Sequence, residues 1–167
     1  NPRVRVHDVR ESSRELARER IELLVDRDTP FLELCPFAAW GSEFPVGGSV
    51  VGGIGVVSGV ECIIIANDPT IAGGTSNPRS VKKFLRIMDV ALKNRLPLVT
   101  LVESGGANLP TQSEIFIPGG DQFRRLAELS KEGIPTVSIV FGNSTAGGAY
   151  LPGMSDHVIM IEKRSKV

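Results

Sequence analysis

The sequence predicts an α/β domain built on a parallel sheet covered by helices. Three observations carry this. Strand-like and helix-like segments alternate from about residue 60 onward. The strand-like segments are short apolar runs, such as Cys62-Ile63-Ile64-Ile65, of the kind that sits buried in a sheet. Two of them end in paired glycines, Gly105-Gly106 and Gly147-Gly148, and open α/β sheets bind ligands beyond the carboxyl ends of their strands.

Taken in order, Ser12-Ser13-Arg14-Glu15 reads as a capping box that opens a helix. Ala17, Ile21 and Leu24 follow at the spacing of one buried stripe, and residues 26–30 end it. Residues 31–48 mix prolines with aromatics and read as a packed loop or short extended pieces. The β-branched runs 49–57 and 60–66 flank Ser58-Gly59, which predicts a hairpin. Gly52, Gly53 and Gly55 in its first arm predict bulges or close backbone approach. Asn77-Pro78 supplies a cap and a first-turn proline for a second helix, whose apolar face is Val81, Phe84, Leu85, Met88, Ala91 and Leu92. Residues 97–102 form a strand ending in Glu103-Ser104-Gly105-Gly106-Ala107. A third helix is expected over residues 121–132, with Phe123, Leu126, Ala127 and Ser130 on one face and Gly133 as its C-terminal cap. Residues 135–141 and 158–161 complete the strands.

Composition narrows the function classes. Lysine plus arginine and aspartate plus glutamate number 19 each, so no net charge draws the chain to nucleic acid or a membrane surface. No apolar run approaches the length of a membrane span. Two cysteines do not make a disulfide framework, and a reducing, cytoplasmic-type compartment fits. The chain begins without methionine and stops just after a strand-like run, which raises the expectation of a piece of a longer protein.

The glycine pairs are the leading candidates for chemistry. Glycine lets a ligand carbonyl approach the backbone, and free N–H groups at a helix start favour negative charge there. Such donors suit an oxyanion hole. A tight turn without catalytic role is the competing reading for either pair alone. Neither His7 nor His157 has metal-site spacing, so no metal is expected. Residues 53–58 lack the third glycine of a dinucleotide fingerprint. Ser144, in Gly142-Asn143-Ser144-Thr145-Ala146, compares with a nucleophile elbow, yet only His157 follows it as a base. Lys82, Lys83 and Arg86 form a basic cluster that reads as a solvated face or as a contact for coenzyme phosphates.

Four segments together resemble one family. Ala66-Asn67-Asp68-Pro69-Thr70, Gly73-Gly74-Thr75, Ser104-Gly105-Gly106-Ala107 and Ser144-Thr145-Ala146-Gly147-Gly148-Ala149-Tyr150 are similar, in order and spacing, to the carboxyltransferase β subunits of biotin-dependent acyl-CoA carboxylases. The run Ser104 to Gln112, with Glu114 and Phe116, looks like the methylcrotonyl-CoA type. Asn108 stands where the propionyl type carries Arg. Residues 117–120 and Asn143 depart from the pattern. The resemblance implies a crotonase-like (ClpP/crotonase) ββα superhelix. It implies that residues 1–167 are an acyl-CoA-binding N-terminal domain, without the second, biotin-side domain. Gly147 and Gly148 would bind the thioester oxygen, and Gly105, Gly106 and Ala107 would form the other wall. Gly73, Gly74, Ala146, Ala149, Lys82 and Lys83 would lie along the CoA ester. Carboxybiotin on a partner carrier protein would donate the carboxyl group, and its urea would take the substrate proton. A biotin carboxylase or carrier subunit and further copies of the chain would be partners. The compartment would be the cytoplasm, or the mitochondrial matrix in a eukaryote. The rival readings are a serine hydrolase with Ser144 as nucleophile and a non-catalytic CoA-ester-binding or oligomer-building module.

Overall fold

The computed structural model describes residues 16–167. The expected capping box at residues 12–15 and His7 lie outside the described residues.

Alternation along residues 62–66 sets the layers. Cys62, Ile64 and Ala66 belong to one buried cluster and Ile63 and Ile65 to another, so their strand is covered on both faces. That strand, β3 (Val60–Asn67), is third in a six-stranded sheet of order β1-β2-β3-β4-β5-β6. The others are β1 (Leu32–Glu33), β2 (Val50–Val57), β4 (Leu98–Ser104), β5 (Thr136–Ser144) and β6 (His157–Met160). The first three strands pair antiparallel, and β3 to β6 pair parallel. Helix α1 (Ala17–Leu24) puts Ala17 and Ile21 against one face. Helices α2 (Pro78–Asn94) and α3 (Gln112–Lys131) cover the other with Phe84, Ile87, Met88, Leu126 and Leu129. A single turn, α4 (Tyr150–Gly153), precedes β6.

The hairpin between β2 and β3 forms as expected. Its register runs unbroken from Val50↔Asn67 to Val57↔Val60, so the glycines of β2 mark close approach and not bulges. A Cβ on Gly53 would stand 2.2 Å from the Leu32 carbonyl oxygen. Helix α2 starts where the sequence places it. Asn77 Oδ1 accepts from the N–H groups of Arg79 and Ser80, and Ser80 Oγ accepts from Asn77 N–H at 2.8 Å. This reciprocal cap satisfies donors that the first turn leaves orphaned.

Helix α3 differs from expectation. It begins at Gln112, nine residues before residue 121, and runs through Ile117-Pro118-Gly119-Gly120. Proline and two glycines read as breakers by propensity, yet the helix continues through them from a first turn that buries Ile115. Its buried stripe is Ile115, Leu126 and Leu129, whereas Ala127 and Ser130 face solvent. Gly133, with φ +66, takes the left-handed C-terminal position as expected.

A chain of buried hydroxyls ties α4 to the sheet. Thr100 Oγ1 and Ser138 Oγ are 2.6 Å apart, Ser138 Oγ and Ser155 Oγ 2.7 Å apart, and Ser155 Oγ donates to the Leu151 carbonyl. The cysteines are both free, Cys35 exposed and Cys62 buried. Burial, and then the Asp26 charge, push the Cys62 thiol up to about 11. Iodoacetamide at neutral pH is therefore expected to alkylate Cys35 and spare Cys62 in the native state. Peptide mass spectrometry reads this directly, and modification of Cys62 without denaturant would contradict the buried placement.

Candidate functional site

The site forms where β4 and β5, parallel neighbours, run out together. β4 ends at Ser104 and turns through Gly105-Gly106-Ala107; β5 ends at Ser144 and turns through Thr145 into a short 3-10 turn, Ala146–Ala149. Thr145 N–H donates to the Ser104 carbonyl at 3.1 Å, which fastens one turn to the other. The turns touch: a Cβ on Gly106 would lie 3.3 Å from the Thr145 carbonyl oxygen.

Three backbone donors are left open here. The N–H groups of Ala146 and Gly147 precede the first hydrogen bond of the 3-10 turn, and Ala107 N–H faces no acceptor across its bridge to Ser76. None of the three donates to another described residue, and all three residues line one cavity. Ala146 holds φ +51, a left-handed conformation that costs a non-glycine residue roughly 1–2 kcal/mol. Backbone strain of this kind gathers at ligand sites.

The cavity measures about 360 Å³. Its walls are largely apolar: Val81 and Phe84 from α2, Ile115, Phe116 and Phe123 from α3, and Leu151 from α4. Phe123 stacks on Tyr150 with ring centroids 4.5 Å apart. The polar side chains that reach it are Asn67, Ser76, Ser80, Ser104, Gln112 and Gln122. No lining residue is titratable. The site therefore presents fixed partial positive charge on backbone N–H groups and an apolar chamber, with no side-chain acid or base among the described residues.

Behind the donor turns stands a buried ion pair. Arg20 Nη2 meets Glu103 Oε2 at 2.6 Å, and the guanidinium lies over the Phe141 ring, 4.5 Å from its centroid. Glu103 is the residue before Ser104, so the pair links α1 to the end of β4. On the other flank, the turn at residues 72–74 supports the loop after β4, because Gly105 N–H donates to the Gly73 carbonyl at 3.0 Å.

The expected site residues divide as follows. Gly105, Gly106, Ala107, Ala146, Gly147 and Gly148 come together at adjacent strand ends, and all but Gly105 line the cavity. Gly148 differs in one respect: its N–H donates to the Thr145 carbonyl at 2.9 Å, so the open donors of that turn are Ala146 and Gly147. Gly73 and Gly74 buttress the turn from behind, and neither they nor Ala149 line the cavity. Lys82 is exposed on α2, away from the cavity lining. Lys83 is a correction. Only 3% exposed, it points inward, donates to the Gly47 carbonyl at 3.2 Å and stands 3.9 Å from Glu33, so it meets no phosphate. Burial lowers the pKa of its ammonium, and Glu33 opposes that shift. Sequence reasoning missed Phe116 and Gln112, which only the early start of α3 brings to the cavity.

Ser144 is not a nucleophile with a base. Its side chain is buried, its Oγ has no hydrogen-bond partner, and His157 is paired in register with Val137 at the far end of β5. Seven residues of extended strand separate the two positions, roughly 23 Å. Among the described residues no group of three or more His, Cys, Asp or Glu is placed to hold a metal, and no helix is long and apolar enough to cross a membrane.

A family model described as the carboxyl transferase domain matches residues 8–167. The chain is 69% identical over 150 residues to the "Probable biotin-dependent acyl-coenzyme A carboxylase beta2 subunit" of Mycobacterium tuberculosis, covering 90% of this chain and 28% of that protein. It is 48% identical over 159 residues to the biotin-dependent 3-methylcrotonyl-coenzyme A carboxylase beta1 subunit of the same organism, covering 91% and 30%. Among solved structures, the β subunit of P. aeruginosa geranyl-CoA carboxylase superimposes with a TM-score of 0.86 at 46% identity, over 92% of this chain and 29% of that one. The chain thus spans less than a third of the length of these relatives. The fold is the crotonase-like α/β class.

Proposed function

The chain belongs to the carboxyl transferase domain family, and from that premise we propose that it is the acyl-CoA-binding N-terminal half of a carboxyltransferase subunit in a biotin-dependent acyl-CoA carboxylase. One observation carries this reading: open backbone donors meet in an apolar cavity that has no titratable side chain. Carboxylation α to a thioester carbonyl, or γ to it through a conjugated double bond, requires removal of a proton from that carbon, and the electron pair moves onto the thioester oxygen as an enolate or dienolate. Donors fixed on Ala146 and Gly147, with Ala107 opposite, stabilise that charge as it develops; loss of one such donor elsewhere costs about 2.7–4 kcal/mol. The apolar walls keep water from the enolate and seat the acyl group. A cavity without its own base calls for one that arrives with the second substrate. Carboxybiotin on a carrier subunit supplies the carboxyl group in this reading, so a biotin carboxylase and carrier are the proposed partners. Branched enoyl esters such as 3-methylcrotonyl-CoA are the proposed substrates. Half-exposed Val158, Ile159 and Met160 on the edge strand β6 support association with further protein, including copies of the chain. Two free cysteines support a reducing compartment, cytoplasm or mitochondrial matrix.

The test is bicarbonate incorporation by the full-length protein with a charged biotin carrier across a panel of CoA esters. Labelled product from at least one short or branched ester is expected, and none from any ester would reject the reading. Ser144→Ala separates the hydrolase. Its hydroxyl has no partner, so the variant should keep turnover within about threefold of wild type, whereas a nucleophile's loss costs orders of magnitude.

A further inference from the structure

Two residues in the cavity wall are glycine where the fold gives no reason for glycine. Gly119 and Gly120 lie inside α3, and neither has the positive φ that would exclude a side chain. Packing does not require them either. A Cβ on Gly119 would find only Ile115 Cγ2, at an ordinary 3.8 Å, and one on Gly120 would find nothing within 4 Å. Glycine inside a helix costs about 1 kcal/mol relative to alanine. Helical stability therefore argues against both residues, and Pro118 beside them adds to the burden.

What the two positions share is the cavity. Both line it, between Ile115 and Phe116 on one side and Gln122 and Phe123 on the other. These neighbours on the same helix project side chains; at residues 119 and 120 the wall is bare backbone. The missing side chains deepen the chamber. A five-carbon acyl group has six heavy atoms with its carbonyl oxygen and, at roughly the 30 Å³ that a water takes in the liquid per heavy atom, occupies on the order of 180 Å³. The cavity, at about 360 Å³, has room for a longer tail.

We propose that Gly119 and Gly120 set the acyl-chain length this site accepts, and that they open it to acyl-CoA esters with apolar tails of about ten carbons. The proposal rests on reading the cavity as an acyl-CoA site. The tail lies against the backbone of α3, with Phe84, Ile115 and Phe123 around it, and the thioester oxygen meets the donors of Ala146 and Gly147.

The experiment measures binding apart from turnover. Propionyl-CoA, 3-methylcrotonyl-CoA and geranyl-CoA, a ten-carbon enoyl ester, are titrated into the full-length protein by calorimetry. The proteins compared are the wild type, Gly119→Leu, Gly120→Leu and Gly120→Ala. Wild type is expected to prefer geranyl-CoA over propionyl-CoA by at least about tenfold, the scale of one or more buried methylenes. Each leucine variant is expected to lose about tenfold or more for geranyl-CoA while propionyl-CoA stays within about twofold. Gly120→Ala should raise the melting temperature and weaken geranyl-CoA binding less than Gly120→Leu does, because the effect scales with bulk. Equal affinity for all esters, or leucine variants that bind geranyl-CoA like wild type, would overturn the proposal. So would a fall in melting temperature for Gly120→Ala, since the glycine would then serve the fold. Length-dependent binding without carboxylation of any ester would sink the carboxyltransferase reading and leave this one standing. Binding of no ester would sink both.

Discussion

Replacing Gly74 with alanine is expected to destabilise the protein by about 3–5 kcal/mol and to cut carboxyl transfer by about a hundredfold. The residue sits at φ +71, and a Cβ there would stand 2.2 Å from the Glu103 carbonyl oxygen. That oxygen is backbone at the end of β4, so no side-chain rotation relieves the overlap. Either the turn at residues 72–74 or the end of β4 must move. The adjacent carbonyl, Gly73 O, holds Gly105 N–H, and Ser104 O holds Thr145 N–H, so the displacement passes to both donor turns. Gly59→Ala is the matched control. It has φ +79 but nothing within 4 Å of its Cβ, so it carries only the left-handed penalty of about 1–2 kcal/mol. Thermal melts and turnover of the two variants side by side decide the matter. If Gly74→Ala is no worse than Gly59→Ala, the contact with Glu103 is not rigid.

Glu103→Gln is the second large effect, about 3–5 kcal/mol of stability. The two partners of the ion pair are unequal. Arg20 has 2% of its side chain exposed and Glu103 has 25%. Removing the glutamate charge leaves a buried guanidinium with a neutral amide, while the Phe141 ring offers only the ~0.5–2 kcal/mol of a cation–π contact. Removing the arginine instead leaves a carboxylate that still reaches water. Arg20→Met should therefore cost less than Glu103→Gln, and the double variant less than the sum of the two singles. Chemical denaturation of the four proteins measures this. Equal costs for the two single changes would show that the pair behaves as if solvated.

Much of this was legible in the sequence because local chemistry and tertiary need agree there. Asn77-Pro78 caps α2 since its side-chain oxygen meets two N–H groups wherever that helix packs. One glycine of each pair marks where the two strand ends approach closely: a Cβ on Gly106 would lie 3.3 Å from the Thr145 carbonyl oxygen, and one on Gly148 would lie 3.0 Å from Ser104 Cβ. The misreadings share a cause, which is that residue type was overruled by position in a packed helix. Lys83 looks like surface by type. Yet its helical phase, three residues after Ser80 and four before Ile87, is that of the buried stripe, and Gly47 O receives its ammonium there. Residues 117–120 look like a loop by composition, yet Ile115 docks and the helix continues through them. The open donors at Ala146 and Gly147, with Gly148 engaged, follow from where the 3-10 hydrogen bonds begin, which residue types do not encode.

The hydroxyls joining α4 to the sheet have a fixed sense of direction. Leu151 O can only accept, so the single proton of Ser155 is committed to it. Ser155 must then accept from Ser138, and Ser138 in turn from Thr100. Three protons that look interchangeable are thus aligned by one carbonyl at the far end, pointing from the middle of the sheet toward the turn that follows the donors. The three positions are consequently unequal under substitution. Thr100 stands at the head of the line, where nothing depends on receiving a proton from its neighbour's far side. Ser138 stands in the middle, where losing the hydroxyl strands a donor behind it and an acceptor ahead.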